Sequence, residues 1–144
     1  MILCVTSLKM ALYSRRKYAQ SAVVPFVLKN GAVELLLITN RSGNRWVIPK
    51  GIVEGSLTAL ESAVREAYEE GGIKGKAYKQ AIGEYRYRKW SGTCNVEVFL
   101  FEVSEVLREW PEADFRQGDT RAQAITLYCL YILQIDLRFS IWLL

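Results

Sequence analysis

Apolar runs alternate with polar punctuation along the chain, and the period of the apolar positions changes from segment to segment. Ser21 to Leu28 (SAVVPFVL) is apolar and β-branched, and Ala32 to Thr39 (AVELLLIT) repeats that character after Asn30-Gly31. Two such runs around Asn-Gly predict an antiparallel hairpin, because both turn residues tolerate positive φ. Pro25 has no ladder N–H to offer, which predicts an edge strand or a bulge. Arg41-Ser42-Gly43-Asn44 reads as a polar turn. Trp46-Val47-Ile48 reads as a short strand stopped by Pro49, and Lys50 to Ser56 as a glycine-bearing loop.

From Thr58 the period lengthens. Leu60, Ala63, Val64 and Ala67 recur at i, i+3, i+4 and i+7, one apolar stripe of a helix. Thr58 with Glu61 makes a capping box at its start, and Gly71-Gly72 stops it. Period two returns in Ala77 to Trp90 and again, after a Ser91-Gly92-Thr93 turn, in Cys94 to Val103, predicting a second hairpin. Glu105 to Trp110 predicts a helical turn ended by Pro111. Ala122 to Ile135 carries no charge but is shorter than the ~20 apolar residues of a membrane span. A buried helix is expected there, with a membrane-surface helix as the second reading.

Composition narrows the chemistry. The chain has 144 residues, the size of one domain, with 51% hydrophobic and 24% charged positions. Lys+Arg 19 against Asp+Glu 15 leaves +4, which suits an anionic small molecule rather than DNA. Histidine is absent, so Ser-His-Asp and Cys-His triads and HExxH sites are excluded, and any metal must be held mainly by oxygen. Cys4, Cys94 and Cys129 form no CxxC pair, so reduced thiols without a disulfide partner, in a cytoplasmic protein, are expected. At the N-terminus the apolar stretch runs only from Ile2 to Val5 and precedes its positive charges, the reverse of a secretory signal. Residues 1–18 are expected to be a loosely ordered leader, with Met10 as an alternative start, and 19–144 a single domain.

Glu66, Glu69 and Glu70 stand at i, i+3 and i+4 on the helix, so three carboxylates share one face. Like charges in this arrangement, near the negative end of the helix dipole, disfavour the helix unless a cation neutralises them. A hard divalent ion is one solution. A solvated acidic face is the other, softened by i,i+4 pairing of Arg65 with Glu61 and Glu69.

The segment containing them, Gly51 to Ile73 (GIVEGSLTALESAVREAYEEGGI), resembles the Nudix box, G-x5-E-x7-R-E-U-x-E-E-x-G-U with U apolar. Arg65 to Ile73 matches R-E-U-x-E-E-x-G-U at every specified place, and Trp46 to Gly51 resembles the W-x-x-P-K/G-G approach of many members. The resemblance covers Ala19 to Glu112. One box position departs: Leu57 stands where the family has a glutamate that supports the loop and helix start.

The resemblance implies an α+β fold, a Nudix-type α/β/α sandwich whose mixed sheet carries the box helix on one side. It implies hydrolysis of a small-molecule phosphoanhydride: a nucleoside diphosphate linked to another moiety, a dinucleoside polyphosphate or a diphosphoinositol polyphosphate. The last two follow from a likeness of Phe99 to Glu112 to the diphosphoinositol polyphosphate phosphohydrolase subgroup. The implied cofactor is Mg²⁺, with Mn²⁺ as a substitute. Glu66 and Glu70 are matched to metal ligands, Glu69 to a third ligand or the base, Arg65 to the residue that orients the glutamates, and Lys50 or Gly51 to a carbonyl ligand. Lys50, Arg86 and Arg88 are the expected substrate contacts, with Tyr85, Tyr87 or Trp90 available for stacking. Glu97 is an outside candidate for an extra ligand and is expected to face outward. A catalytically weak Nudix-fold module that binds nucleotide or RNA is the alternative function. A homodimer is left open and membrane association is not expected.

Overall fold

The computed structural model describes residues 17–89, 92–115 and 123–126. Its first strand, β1 (Lys17–Lys29), starts inside the stretch expected to be leader. The Asn30-Gly31 turn has φ 52° and 77°, the left-handed pair that a tight hairpin requires, and joins β1 to β2 (Ala32–Thr39). The polar turn that follows is held by Asn40, whose side-chain oxygen accepts from the backbone N–H of Asn44 at 3.1 Å and of Arg45 at 3.3 Å. Strands β3 (Trp46–Val47) and β4 (Lys50–Ile52) follow, so part of the expected glycine-bearing loop is strand.

Helix α1 (Ala59–Gly71) has the expected caps. Thr58 Oγ1 accepts from the Glu61 N–H at 3.2 Å, and Glu61 Oε2 accepts from the Thr58 N–H at 2.8 Å. Gly72 closes the helix at φ 61°. Strand β5 (Ile73–Lys89) then runs antiparallel to β6 (Gly92–Val106) with register shifts between Ala77 and Gly83. Because β6 continues to Val106, the helical turn expected over 105–110 does not form, and a single 3₁₀ turn falls later, at Ala113–Phe115. Strand β7 (Gln123–Thr126) pairs antiparallel with β2, so these four residues of the uncharged stretch are strand rather than helix. The remainder of 118–144, Trp90 and the leader before Lys17 lie outside the described residues.

The sheet is mixed, in the order β3-β2-β1-β6-β5, with β4 added to β1 and β7 to β2. β1 is therefore central, not an edge. It lies parallel to β6 from Lys17↔Thr93 to Phe26↔Glu102. Pro25 is tolerated because its other side changes partners at that point: β4 pairs with residues 20–22 and β2 with 26–29. Val23, of the same parity as Pro25, sends its N–H to Pro49 O on that side, and Pro25 falls in the gap beyond it.

The two sheet faces carry separate apolar clusters. Val23, Leu36, Phe99 and Phe101 pack against Ala63 and Ala67 of α1, with Leu60 and Val64 at the margin. Ala22, Val96 and Val98 form the other cluster with Ile48, Tyr85 and Tyr87. The box helix thus lies on one face of a mixed sheet, as expected. Among the described residues α1 is the one α-helix, so the second helical layer expected of the sandwich is not among them. No helix among the described residues is long and apolar enough to cross a membrane.

Candidate active site

Strand β4 delivers Lys50 and Gly51 to the C-terminal half of α1. The Lys50 backbone N–H donates to Glu70 Oε2 at 2.9 Å. Gly51 lies against the Glu66 carboxylate so closely that a Cβ there would occupy the carboxylate's own space. Glycine at 51 lets the carboxylate keep this seat, for a side chain there would displace the end of Glu66. Ser62 Oγ, one turn earlier, donates to Ile52 O at 3.1 Å and completes the seam between loop and helix.

Glu66 is half-buried, and its carboxyl is pushed up to about 7, first by desolvation and then by the charges of Glu70, Glu69 and Glu112. Arg65 acts in the opposite direction but is outweighed. Its guanidinium is committed elsewhere. Nη1 and Nη2 donate to the two oxygens of Glu54 at 2.6 and 2.8 Å, and Nε donates to Glu69 Oε1 at 2.8 Å. The expected Arg65–Glu69 pair thus forms. The expected Glu61–Arg65 pair does not, because Glu61 is engaged by Thr58 in the capping box, which also lowers its pKa.

Neither Glu54 nor Glu112 was foreseen from periodicity. Glu54 lies outside the helix, and the only local sign was a carboxylate within a short loop of an arginine. Glu112 is brought in by tertiary structure: its N–H donates to Glu69 O at 3.2 Å, and its carboxylate accepts from Arg41 Nη2 at 3.0 Å.

A divalent cation suits this donor set. Glu66 is partly desolvated among like charges, and position 51 puts no side chain against its oxygens. Ser21 Oγ is buried without a hydrogen-bond partner among the described residues. Ser21 pairs with Gly51 on one side and with Glu97 on the other. As the side chains stand, no three acidic groups among the described residues are gathered closely enough to hold an ion. Glu69 is drawn to Arg65 and one Glu70 oxygen to the Lys50 amide, so coordination by all three calls for rotamer changes.

The remaining candidates separate by sheet face. Glu97 is exposed, yet alternation from Phe99 places it on the face that α1 covers, not the opposite one. Register then places Glu84, Arg86 and Arg88 on that same face, opposite Glu97, Asn95 and Thr93. Arg86 contacts Glu84 at 3.5 Å. Tyr85 and Tyr87 point the other way, into the second cluster, where they stack at 6.1 Å and Tyr87 donates to Gln20 at 2.6 Å. They do not serve as base-stacking platforms beside Glu66. Cys94 is a buried free thiol.

A mixed sheet with one helix, joined at a glycine-bearing strand to a carboxylate-rich helical face, is the arrangement of a Nudix domain. The sequence profile described as NUDIX domain matches residues 17–125, and the chain belongs to that family. Nudix hydrolase 13, mitochondrial, of Arabidopsis thaliana is 36% identical over 95 residues, covering 59% of this chain and 47% of that protein. Diphosphoinositol polyphosphate phosphohydrolase 3-alpha of Mus musculus is 33% identical over 79 residues, 55% of this chain and 47% of that one. The chain spans about half the length of the curated relatives it matches. The fold is that of a C. elegans Ap4A hydrolase solved as a binary complex, with TM-score 0.59, 17% identity and coverage of 88% of this chain and 85% of the other. The Arabidopsis relative is named as mitochondrial, so the cytoplasmic expectation draws no support from it.

Proposed function

We propose that this chain hydrolyses a phosphoanhydride using a divalent cation, Mg²⁺ or Mn²⁺. The observation that carries the reading is the seating of Glu66 against Gly51 and of Glu70 on the Lys50 N–H, which brings two box carboxylates to one loop. Glu66 and Glu70 would hold the ion, with the carbonyl of Lys50 or Gly51 as a neutral ligand. When bound, such an ion supplies neutralisation of phosphate charge and acidification of water.

The chain's own groups do the rest. Arg65 holds Glu69 through Oε1, and the second oxygen would take a proton from water attacking phosphorus. Glu69 is therefore a base or a third ligand, and Arg65 its orienting partner. The Lys50 side chain, Arg86 and Arg88 are the phosphate contacts. The substrate classes are a nucleoside diphosphate linked to another moiety, a dinucleoside polyphosphate or a diphosphoinositol polyphosphate. The basic residues of β5 and the name of the mouse relative support the last of these.

The test is phosphate or nucleoside monophosphate release from one member of each class, with Mg²⁺ and with EDTA. Metal-dependent release from one class is expected. Glu70→Gln keeps an acceptor for the Lys50 N–H but loses the charge, so it should stay folded and lose more than the about 10–100-fold typical of outer-shell partners. An active Glu70→Gln protein would remove Glu70 from the metal site. Silence from folded wild-type protein across the panel would favour a nucleotide- or RNA-binding module.

A further inference from the structure

The departure at Leu57 removes the glutamate that the box places before the helix, yet Arg65 is not left loose. The Leu57 N–H donates to Glu54 O at 2.9 Å and closes a turn over residues 54–57. That turn presents the Glu54 carboxylate end-on to the guanidinium, one oxygen to each terminal nitrogen. A bidentate fork fixes the plane of the guanidinium as well as its position. The Nε edge is then aimed at Glu69 Oε1.

Among the described residues only Glu54 and Glu69 pair with this guanidinium. Glu61, one turn before Arg65, is held by Thr58. Without Glu54 the guanidinium would keep a single hydrogen bond, to the very residue it must orient. An exposed ion pair of this kind contributes little to stability, so its use lies in orientation.

We infer that Glu54 is the positioning residue that replaces the missing box glutamate, holding Arg65 from outside the helix so that Arg65 holds Glu69. This rests on the hydrolase reading above as regards turnover, but the clamp itself does not. The decisive variants are Glu54→Gln and the double variant Glu54→Gln/Leu57→Glu, with Leu57→Glu alone as control.

Three readouts are needed. In ¹⁵N spectra of the metal-free protein, the Arg65 Nε–H resonance should be sharp and slow to exchange in wild type, broadened in Glu54→Gln and restored in the double variant. Mn²⁺ affinity by calorimetry should fall about tenfold in Glu54→Gln, the scale of an outer-shell partner, and recover in the double variant. Turnover number should fall with it while KM stays within about twofold, since no substrate contact is removed. Leu57→Glu alone should match wild type. An unchanged Arg65 resonance in Glu54→Gln would overturn the inference, as would a double variant no better than the single one. A wild type that binds no Mn²⁺ and turns over no substrate would sink the hydrolase reading instead, and the resonance would still decide the clamp.

Discussion

The proposed role asks Glu66 to be charged at a place that disfavours charge. Its carboxyl is pushed up to about 7 by burial and by Glu70, Glu69 and Glu112, against an ordinary value of 4.5. In the unfolded chain the same group ionises at the lower value, so between these two pH values the folded, metal-free protein binds more protons than the unfolded one. Stability contributed by the protonated group is therefore present below about 4.5 and lost as pH rises through about 7. Thermal unfolding of EDTA-treated protein should show a midpoint that declines from pH 5 to 8, and Glu66→Gln should flatten that decline. Mg²⁺ should reverse it, because the ion binds the ionised form. A midpoint equally steep in Glu66→Gln would assign the effect to another group.

At the scale of elements, two glycines carry constraints of different origin. Gly72 has φ 61° and its missing Cβ would come within 2.8 Å of the Trp110 ring, so Gly72→Ala combines a left-handed backbone with an overpacked helix end. Urea unfolding should show a loss of about 1–3 kcal/mol with turnover per folded molecule unchanged. Gly51→Ala should do the reverse. Strand β4 can accept alanine, but the Glu66 carboxylate must leave its seat, and displacement of about 1 Å costs about 100-fold in rate. A Gly51→Ala protein with full activity would mean that Glu66 works from another rotamer.

These elements were legible because their signals are local. Asn30-Gly31, the Thr58–Glu61 box and the Gly72 stop each need only a few consecutive residues. What escaped was decided by residues far apart in sequence. The parallel pairing that sets Tyr18 beside Cys94 makes β1 central, and the gap between β4 and β2 is what accommodates Pro25. No periodicity reports either. In the site, the helix spacing placed the three glutamates, but not which oxygen each would spend on Arg65 or on the Lys50 amide. Glu54 took the fork because a turn in the preceding loop, not the helix repeat, determines its reach.

For the whole molecule, the net charge of +4 matters only through where the cations lie. Register sends Arg86 and Arg88 to the face that carries α1, while Tyr85 and Tyr87 anchor the same strand to the other cluster. The strand is thereby held by its aromatics, with its arginines exposed on the face that carries α1. Arg86 has a loose partner in Glu84 at 3.5 Å, both about two-thirds exposed, so on the proposed reading a polyphosphate would displace that carboxylate at little cost. Exposed charges of this kind assist binding more than chemistry. Arg86→Gln/Arg88→Gln should therefore raise KM for a polyphosphate substrate by about fivefold, the scale of an exposed ion pair, with turnover number nearly constant. Salt should act in the same sense, because ionic strength near 1 M shortens the screening length to about 3 Å. The wild-type KM should climb with salt and the double variant's should climb less. If the two enzymes responded to salt alike, the phosphates would have to be gripped elsewhere, with Lys50 the first residue to replace.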